Sequence, residues 1–183
     1  MLKKQRRRRW LSGLLAAVMV LSLLPVSVWA SYTKPGGYEP PQNAIQSSAF
    51  PIAGTALQYV FYTYSDPTDP TGTNIQEIVI TVNPESTSDV YSIPDYASVG
   101  SRPWSNATTS LQAVYIGDDV TGIGQNAFSN MTALRDLDFE DPSDLTYIGE
   151  SAFQGATYLT EDNLDLSHVT TLGKNAFSGC SRL

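Results

Sequence analysis

The sequence has very few of the side chains from which cross-links and metal sites are built. Its 183 residues include one cysteine, Cys180, and one histidine, His168. A single cysteine excludes an internal disulfide framework, so the fold must be stabilised by packing. One residue of each type also cannot supply the ligand set of a zinc site. The sequence therefore predicts neither a metal nor a cofactor.

Motifs of catalysis are equally scarce. The chain has no G-x-S-x-G nucleophile motif and no glycine-rich phosphate loop. Cys180 occupies a position that Met131 and Ala156 fill in equivalent segments, which indicates apolar filler rather than a nucleophile. A lone histidine such as His168 is more typical of a surface than of a base. Acidic residues are plentiful, so composition alone does not exclude a carboxylate pair for glycoside hydrolysis. The prediction is a protein without catalytic residues.

Positive charge is concentrated at the start of the chain, where the first ten residues hold six of the eleven Lys and Arg residues. An apolar run over residues 11–24 follows, and Pro25 breaks it. This order is typical of a secretory signal peptide over residues 1–30, cleaved between Ala30 and Ser31. The apolar run is shorter than the roughly 20 residues that a membrane span needs, which disfavours the alternative of a retained anchor helix. The chain is predicted to be secreted and to meet a membrane only during export.

Removal of the signal peptide leaves few positive charges. Downstream of it, 5 basic residues face 18 acidic residues, a formal charge of −13. A surface this acidic repels phosphate backbones and anionic lipid headgroups, which excludes nucleic acid and membrane surfaces as expected partners. It suits an extracellular protein.

The next part of the chain is predicted to be a linker and then a hairpin. Residues 31–54 are rich in Pro, Gly and polar side chains without a period, which is typical of a linker. Residues 55–92 contain two strand-like runs, "ALQYVFYTYS" and "NIQEIVITV", separated by the turn cluster "DPTDPTG". They predict an antiparallel hairpin over residues 55–83.

Four aromatic side chains of the first run form either a binding platform or the packing face of a small sheet. Packing is the commoner role of such a stripe. These residues are Tyr59, Phe61, Tyr62 and Tyr64.

One six-residue phrase occurs three times in the second half of the chain. "IGQNAF" at Ile123 returns as "IGESAF" at Ile148 and as "LGKNAF" at Leu172, so the repeat spacings are 25 and 24 residues. Each copy is associated with a leucine-containing strand pattern: "LQAVYI", "LRDLDF" and, with two extra residues, "LTEDNLDL". Self-similarity at this period is the signature of a leucine-rich-repeat solenoid.

Equivalent positions of successive coils stack in a solenoid, so the repeated apolar residues should form continuous columns in its interior. The glycine of each phrase allows a tight bend or a close approach of two coils, because it has no Cβ. The small alanine beside the large phenylalanine fills a narrow interior without voids. The predicted repeat core consists of Ile123, Ala127, Phe128, Leu134, Leu137, Ile148, Ala152, Phe153, Leu159, Leu164, Leu172, Ala176 and Phe177.

The segments "VTGIGQNAFSNMTALRDLDF" and "VTTLGKNAFSGCSRL" resemble the BspA-type leucine-rich repeats of bacterial cell-surface proteins, with their V-T-x-I-G-x-x-A-F-x-x-C-x-x-L pattern. The lead-in "IPDYASVGSRPW" is similar to the segment that precedes such arrays, and the resemblance covers residues 93–183. Met131 and Ala156 replace the usual cysteine, and "EDPSDLTYIG" departs from the family pattern. The resemblance implies a β-rich fold: a short solenoid of period 24–25 preceded by a small hairpin and cap.

Strand positions that alternate with the inward-facing ones should point out of the concave face of the solenoid. They form a candidate partner-binding set: Tyr115, Asp136, Asp138, Asn163 and Asp165. An ordinary solvated face is the alternative, since charged strand faces are common without a ligand.

The resemblance implies a secreted or cell-surface binding or adhesion module that is not catalytic. Its partner would be an extracellular protein or a cell-surface ligand. Two alternatives remain: a binding or spacer region of a larger secreted hydrolase, and a purely structural spacer. The last residue, Leu183, stands where the next strand of the template would begin, so the array is expected to be truncated there.

Overall fold

The structure, a computed structural model, describes residues 43–65, 74–161 and 164–183. The predicted signal peptide, the first part of the predicted linker, the turn cluster "DPTDPTG" and Asn163 lie outside the described residues.

The described chain is built almost entirely from strands and turns. Two short 3-10 turns, Ser105–Ala107 and Pro142–Asp144, are its only helical segments within the described ranges. The strands, in chain order, are β1 (Ile45–Gln46), β2 (Phe50–Pro51), β3 (Leu57–Ser65), β4 (Asn74–Val82), β5 (Ser92–Ile93), β6 (Leu111–Ile116), β7 (Gly122–Ile123), β8 (Asp136–Phe139), β9 (Tyr147–Ile148) and β10 (Thr171–Leu172).

The longer strands form one mixed sheet in the order β1-β3-β4-β6-β8, with β2 also paired to β3. Strands β3 and β4 are antiparallel and place Leu57 opposite Val82, so the predicted hairpin is present. Strand β4 then pairs in parallel with β6, and β6 pairs in parallel with β8. The hairpin is therefore the first part of the same sheet to which the repeats contribute.

The shortest strands form a second, fully parallel sheet in the order β10-β9-β7-β5. The Ile or Leu of the repeated phrase lies in register from coil to coil: Ile123 pairs with Ile93 and Ile148, and Ile148 pairs with Leu172. Successive coils add strands to both sheets and enclose a common core between them. This is the predicted β-rich solenoid.

Part of the predicted linker is structured. Strands β1 and β2 pair with β3 in antiparallel register, the amide of Ser47 donates to the carbonyl of Phe61 at 2.9 Å, and the ring of Phe50 stacks on Tyr59 at 5.3 Å. The free edge of β3 explains the difference, because its backbone groups need partners that a short polar segment can supply.

A column of stacked aromatic rings runs through the solenoid. The centroids of Trp104, Phe128, Phe153 and Phe177 are separated in turn by 5.4, 5.4 and 5.2 Å, with planes within 15° of parallel. Trp104 heads the column, and its Nε1 donates to the carbonyl of Ala127 at 2.7 Å. An indole thus fills the position that phenylalanine fills in the later coils.

Most of the other predicted core positions are buried. Exposure is at most 3% for Ile123, Ala127, Leu134, Leu137, Ile148, Ala152, Leu159 and Ala176, as it is for Phe128 and Phe153. Leu164 and Phe177 are half-buried against this core. Leu172 differs from the expectation, because 58% of it is exposed. It lies in the last described coil, where β10 pairs with β9 alone.

The repeated glycines mark the closest approach between coils. A Cβ at Gly124, Gly149 or Gly173 would lie less than 3.0 Å from backbone atoms of the preceding coil. None of the three has a positive φ. The sequence allows two roles for this glycine, a tight bend or a close approach of two coils. The backbone therefore uses it for the close approach.

A buried arginine closes the start of the array. Arg102 is 2% exposed, and its Nη1 donates to the carbonyls of Asn126 and Ser129 at 3.0 and 2.7 Å. Burial lowers its pKa to about 10. The carbonyl of Ser129 is equivalent to that of Gln154, which accepts from the amide of Asn130 in the preceding coil. Arg102 thus supplies to Ser129 the donor that a preceding coil supplies to Gln154.

Each coil also places two residues in the left-handed region, and the first of the two equivalent positions holds Asn126, Ser151 and Asn175, with φ of 58°, 55° and 59°. Asparagine tolerates this conformation better than serine does. Ser151 is thus the least suited of the three residues to the left-handed conformation.

Replacement of Ser151 by asparagine should raise the free energy of unfolding by about 0.5 kcal/mol, because the backbone conformation is then less strained. Urea denaturation measures the change. Ser178→Asn, at an exposed position without a positive φ, is the matched control and should leave stability unchanged. A loss of stability in Ser151→Asn would contradict the argument.

The aromatic column predicts a graded loss of stability. Phe153→Ala should cost about 3–5 kcal/mol, because it removes a fully buried ring and leaves a cavity. Phe177→Ala should cost less, since that ring is only half-buried. Denaturant unfolding compares the two variants. An equal cost would show that the rings do not share one buried column.

Candidate functional site

The first sheet presents a second face opposite its core face. Along β6, Val114 and Ile116 point into the core and are 1% exposed, so the residues that alternate with them lie on the other side. Register aligns these alternate positions across β4, β6 and β8. We call the resulting surface the outer face; it consists of Glu77, Val79, Ala113, Tyr115, Asp136 and Asp138.

Tyr115 lies at the centre of the outer face and is 7% exposed, which differs from the expectation of an exposed side chain. Its register neighbours are Val79 on β4, which is 4% exposed, and Asp138 on β8. Burial raises the pKa of Tyr115 to about 12, and the nearby carboxylates of Glu140 and Asp118 contribute in the same direction.

The acidic members of the outer face come from two different parts of the chain. Asp136 is exposed and Asp138 is half-buried on β8. Glu77, on β4, is 2% exposed and was not among the candidates. Its position in "NIQEIVITV", between residues of the core face, was the available signal, but only the parallel pairing of β4 with β6 brings it beside Tyr115.

The third coil does not extend this face. No strand is assigned in the described residues 159–161 and 164–170, so the strand expected there is not found. Asp165 instead forms a turn: its Oδ1 accepts from the amide of Ser167 at 2.9 Å, and this hydrogen bond lowers the pKa of Asp165. The structure thus brings together Tyr115, Asp136 and Asp138, while Asn163 lies outside the described residues.

The aromatic stripe of β3 packs rather than forming an open platform. Tyr59 is 9% exposed and Tyr62 is 4% exposed. The ring of Tyr59 meets Trp104 edge to face at 5.6 Å and Phe61 at 5.7 Å, so it belongs to the head of the aromatic column.

The described residues offer little for metal or covalent chemistry. In residues 43–65, 74–161 and 164–183, no group of three or more His, Cys, Asp or Glu side chains could hold a metal ion. The thiol of Cys180 donates to the carbonyl of Phe153 at 3.2 Å, and burial raises its pKa, which favours the unreactive thiol. No helix within these ranges is long and apolar enough to cross a membrane.

Coils that contribute strands to two sheets around one stacked core define a leucine-rich-repeat solenoid. The family model described as "BspA type Leucine rich repeat region" matches residues 72–183 in six copies, and the chain belongs to this family. The match begins inside the predicted hairpin region. This agrees with the structure, in which β4 is already a parallel neighbour of β6.

Two solved structures are similar to this chain. A leucine-rich repeat protein from Eubacterium ventriosum ATCC 27560 shares 18% identity with a TM-score of 0.51, over 74% of this chain and 30% of its own. A leucine rich cell surface protein from Faecalibacterium prausnitzii A2-165 shares 24% identity with a TM-score of 0.45, over 75% and 35%. The chain thus spans about a third of the length of either protein. A comparison with curated proteins finds no match.

The outer face predicts a change in the titration of one tyrosine. Asp138→Asn should lower the pKa of Tyr115 below about 12, because a neighbouring negative charge that opposes the phenolate is removed. Titration of the tyrosine ring carbons by NMR measures this shift. Asp165→Asn is the control and should not change it. Equal titration curves for Asp138→Asn and the unmodified protein would show that the two side chains do not share a face.

Proposed function

We propose that this chain is an exported, non-catalytic adhesion module that binds an extracellular protein or a cell-surface ligand through the outer face. Membership of the BspA-type repeat family supports a repeat-based binding module. Solenoids commonly present an extended strand face to macromolecular partners.

The observation that carries the proposal is the contrast between the two faces of β6 and β8. On the core face, packing requires apolar residues, and Ile116 and Leu137 supply them. On the outer face, Tyr115 in one coil is followed by Asp138 in the next. Packing between coils does not require a carboxylate there, and we therefore assign this position to recognition.

The charge of the outer face favours a basic partner surface. The carboxylates of Glu140, Asp118, Asp138 and Glu77 act on the phenol of Tyr115, and the exported chain has a formal charge of −13. Such a surface accelerates encounter with positively charged partners and loses this effect as salt screens it. Because Tyr115 is 7% exposed, the contact with a partner is made mainly by Asp136 and Asp138, the exposed and half-buried carboxylates of β8.

The test is attachment of beads coated with residues 31–183 to cultured epithelial cells and to bacterial cells. Asp136→Lys combined with Asp138→Lys should reduce attachment severalfold, and added salt should weaken attachment of the unmodified protein. Asp138→Lys alone, which reverses one charge on the outer face, is compared with Asp165→Lys, the matched control that reverses one charge away from it. Circular dichroism confirms that each variant is folded.

Two outcomes would contradict the proposal. Undiminished attachment of the double variant would place the contact elsewhere on the chain. An equal loss in Asp165→Lys would show that attachment depends on net charge rather than on the outer face.

A further inference from the structure

A second surface of the solenoid has a different chemistry. The leucines at 111, 134, 159 and 183 occupy equivalent positions, and a hydroxyl residue stands two positions before each one. We call these the hydroxyl row: Thr109, Thr132, Thr157 and Ser181. The hydroxyl of Ser181 donates to the carbonyl of Thr157 at 3.3 Å, so members of the row lie on adjacent coils. The row therefore runs along the axis of the array.

A groove lies beside this row. It has a volume of about 340 Å³ and is lined by Thr109, Thr132, Ala133, Arg135 and Tyr158. Ligand sites commonly have volumes of roughly 300–1,000 Å³, so the groove is large enough for part of an elongated ligand. Both threonines and Arg135 are exposed, and Tyr158 is 45% exposed.

Positive charge is concentrated at this groove. Among the described residues, the exposed cations are Arg135, Lys174 and Arg182. Two of the three lie here, since Arg135 lines the groove and the guanidinium carbon of Arg182 lies 4.3 Å from the ring centroid of Tyr158. Within the described chain, neither guanidinium has an ion-pair partner.

Part of the backbone at the groove is already hydrogen-bonded. The amide of Thr132 donates to the carbonyl of Asn130 at 2.9 Å, and that of Leu134 to Met131 at 3.1 Å. The amide of Thr157 donates to Gly155 at 2.9 Å in the next coil. These amides are not available to pair with an added strand, which disfavours an extended peptide as the ligand.

We propose that this groove binds an acidic saccharide, a sugar chain that carries carboxylates. Guanidinium groups bind carboxylates through paired, charge-assisted hydrogen bonds. The threonine hydroxyls both donate and accept, which suits a ligand rich in hydroxyls. Tyr158 is 45% exposed, and the part of its ring that Arg182 does not cover offers an apolar surface with a polar end against which a sugar ring packs.

The acidic character of the rest of the protein does not prevent this binding. At physiological ionic strength, exposed charges more than about 8 Å apart are largely screened, so the distant carboxylates of the chain contribute little at the groove. The site is separate from the outer face, and the proposal does not depend on the function proposed above.

Titration calorimetry with defined oligomers tests the proposal on the chain from residue 31 onward. The probes are hexagalacturonate, hexasialate, the neutral methyl ester of hexagalacturonate, and hexaglutamate. At least one acidic saccharide should bind, while the methyl ester and hexaglutamate should not. Arg135→Gln and Arg182→Gln should each weaken binding about tenfold, the loss expected for a charge-assisted hydrogen bond.

Lys174→Gln is the matched control, because it removes an exposed cation away from the groove, and its binding should equal that of the unmodified protein. Circular dichroism verifies the fold of all three variants. Three results would overturn the proposal: no binding of either acidic saccharide, equal binding of hexaglutamate, or an equal loss in Lys174→Gln. No binding of either acidic saccharide excludes this ligand class. Equal binding of hexaglutamate indicates an acidic peptide as the ligand, and an equal loss in Lys174→Gln indicates binding by charge alone.

Discussion

The separation between neighbouring coils is the constraint on which the rest of this structure depends. Parallel pairing holds adjacent strands about 4.7–4.9 Å apart, and at this separation Gly149 leaves no room for a Cβ against the preceding coil. The same spacing brings Phe128 and Phe153 into stacking contact at 5.4 Å. The amide of Phe128 can then donate to the carbonyl of Ala152 at 2.7 Å. The close approach at the glycines, the aromatic column and the hydrogen-bond ladder therefore all depend on the same separation between coils.

This arrangement separates the residues that build the array from those that give it an individual surface. Inside the solenoid, each side chain packs against the equivalent side chains of the coils before and after it, so the same residue types recur from coil to coil. The side chains on the surface of the solenoid do not have to match in this way. The outer face carries carboxylates around Tyr115, whereas the groove carries Arg135 and Arg182 around Tyr158. Two surfaces of opposite charge can thus be supported by one repeated interior.

The interior was predictable from the sequence because its positions repeat, and the candidate site was predictable only in part. The repeated phrase did not identify Trp104 as a core residue, since an indole replaces phenylalanine at the head of the column. Tyr115 was expected to be exposed, but only 7% of it is. Glu77 joins the outer face only through a parallel pairing that no local pattern encodes. Asp165 does not extend that face, because its carboxylate is hydrogen-bonded in a turn.

Native-state hydrogen exchange tests the central claim most directly. If the coils are held by one continuous ladder, the amides of Phe128 and Phe153, which donate to Ala152 and Ala176 at 2.7 and 2.8 Å, should exchange only through global unfolding. Their exchange free energies should then equal the free energy of unfolding measured with denaturant. Exchange of either amide at a much lower free energy would show that the coils open independently, and would contradict an account in which stacking is the basis of the fold.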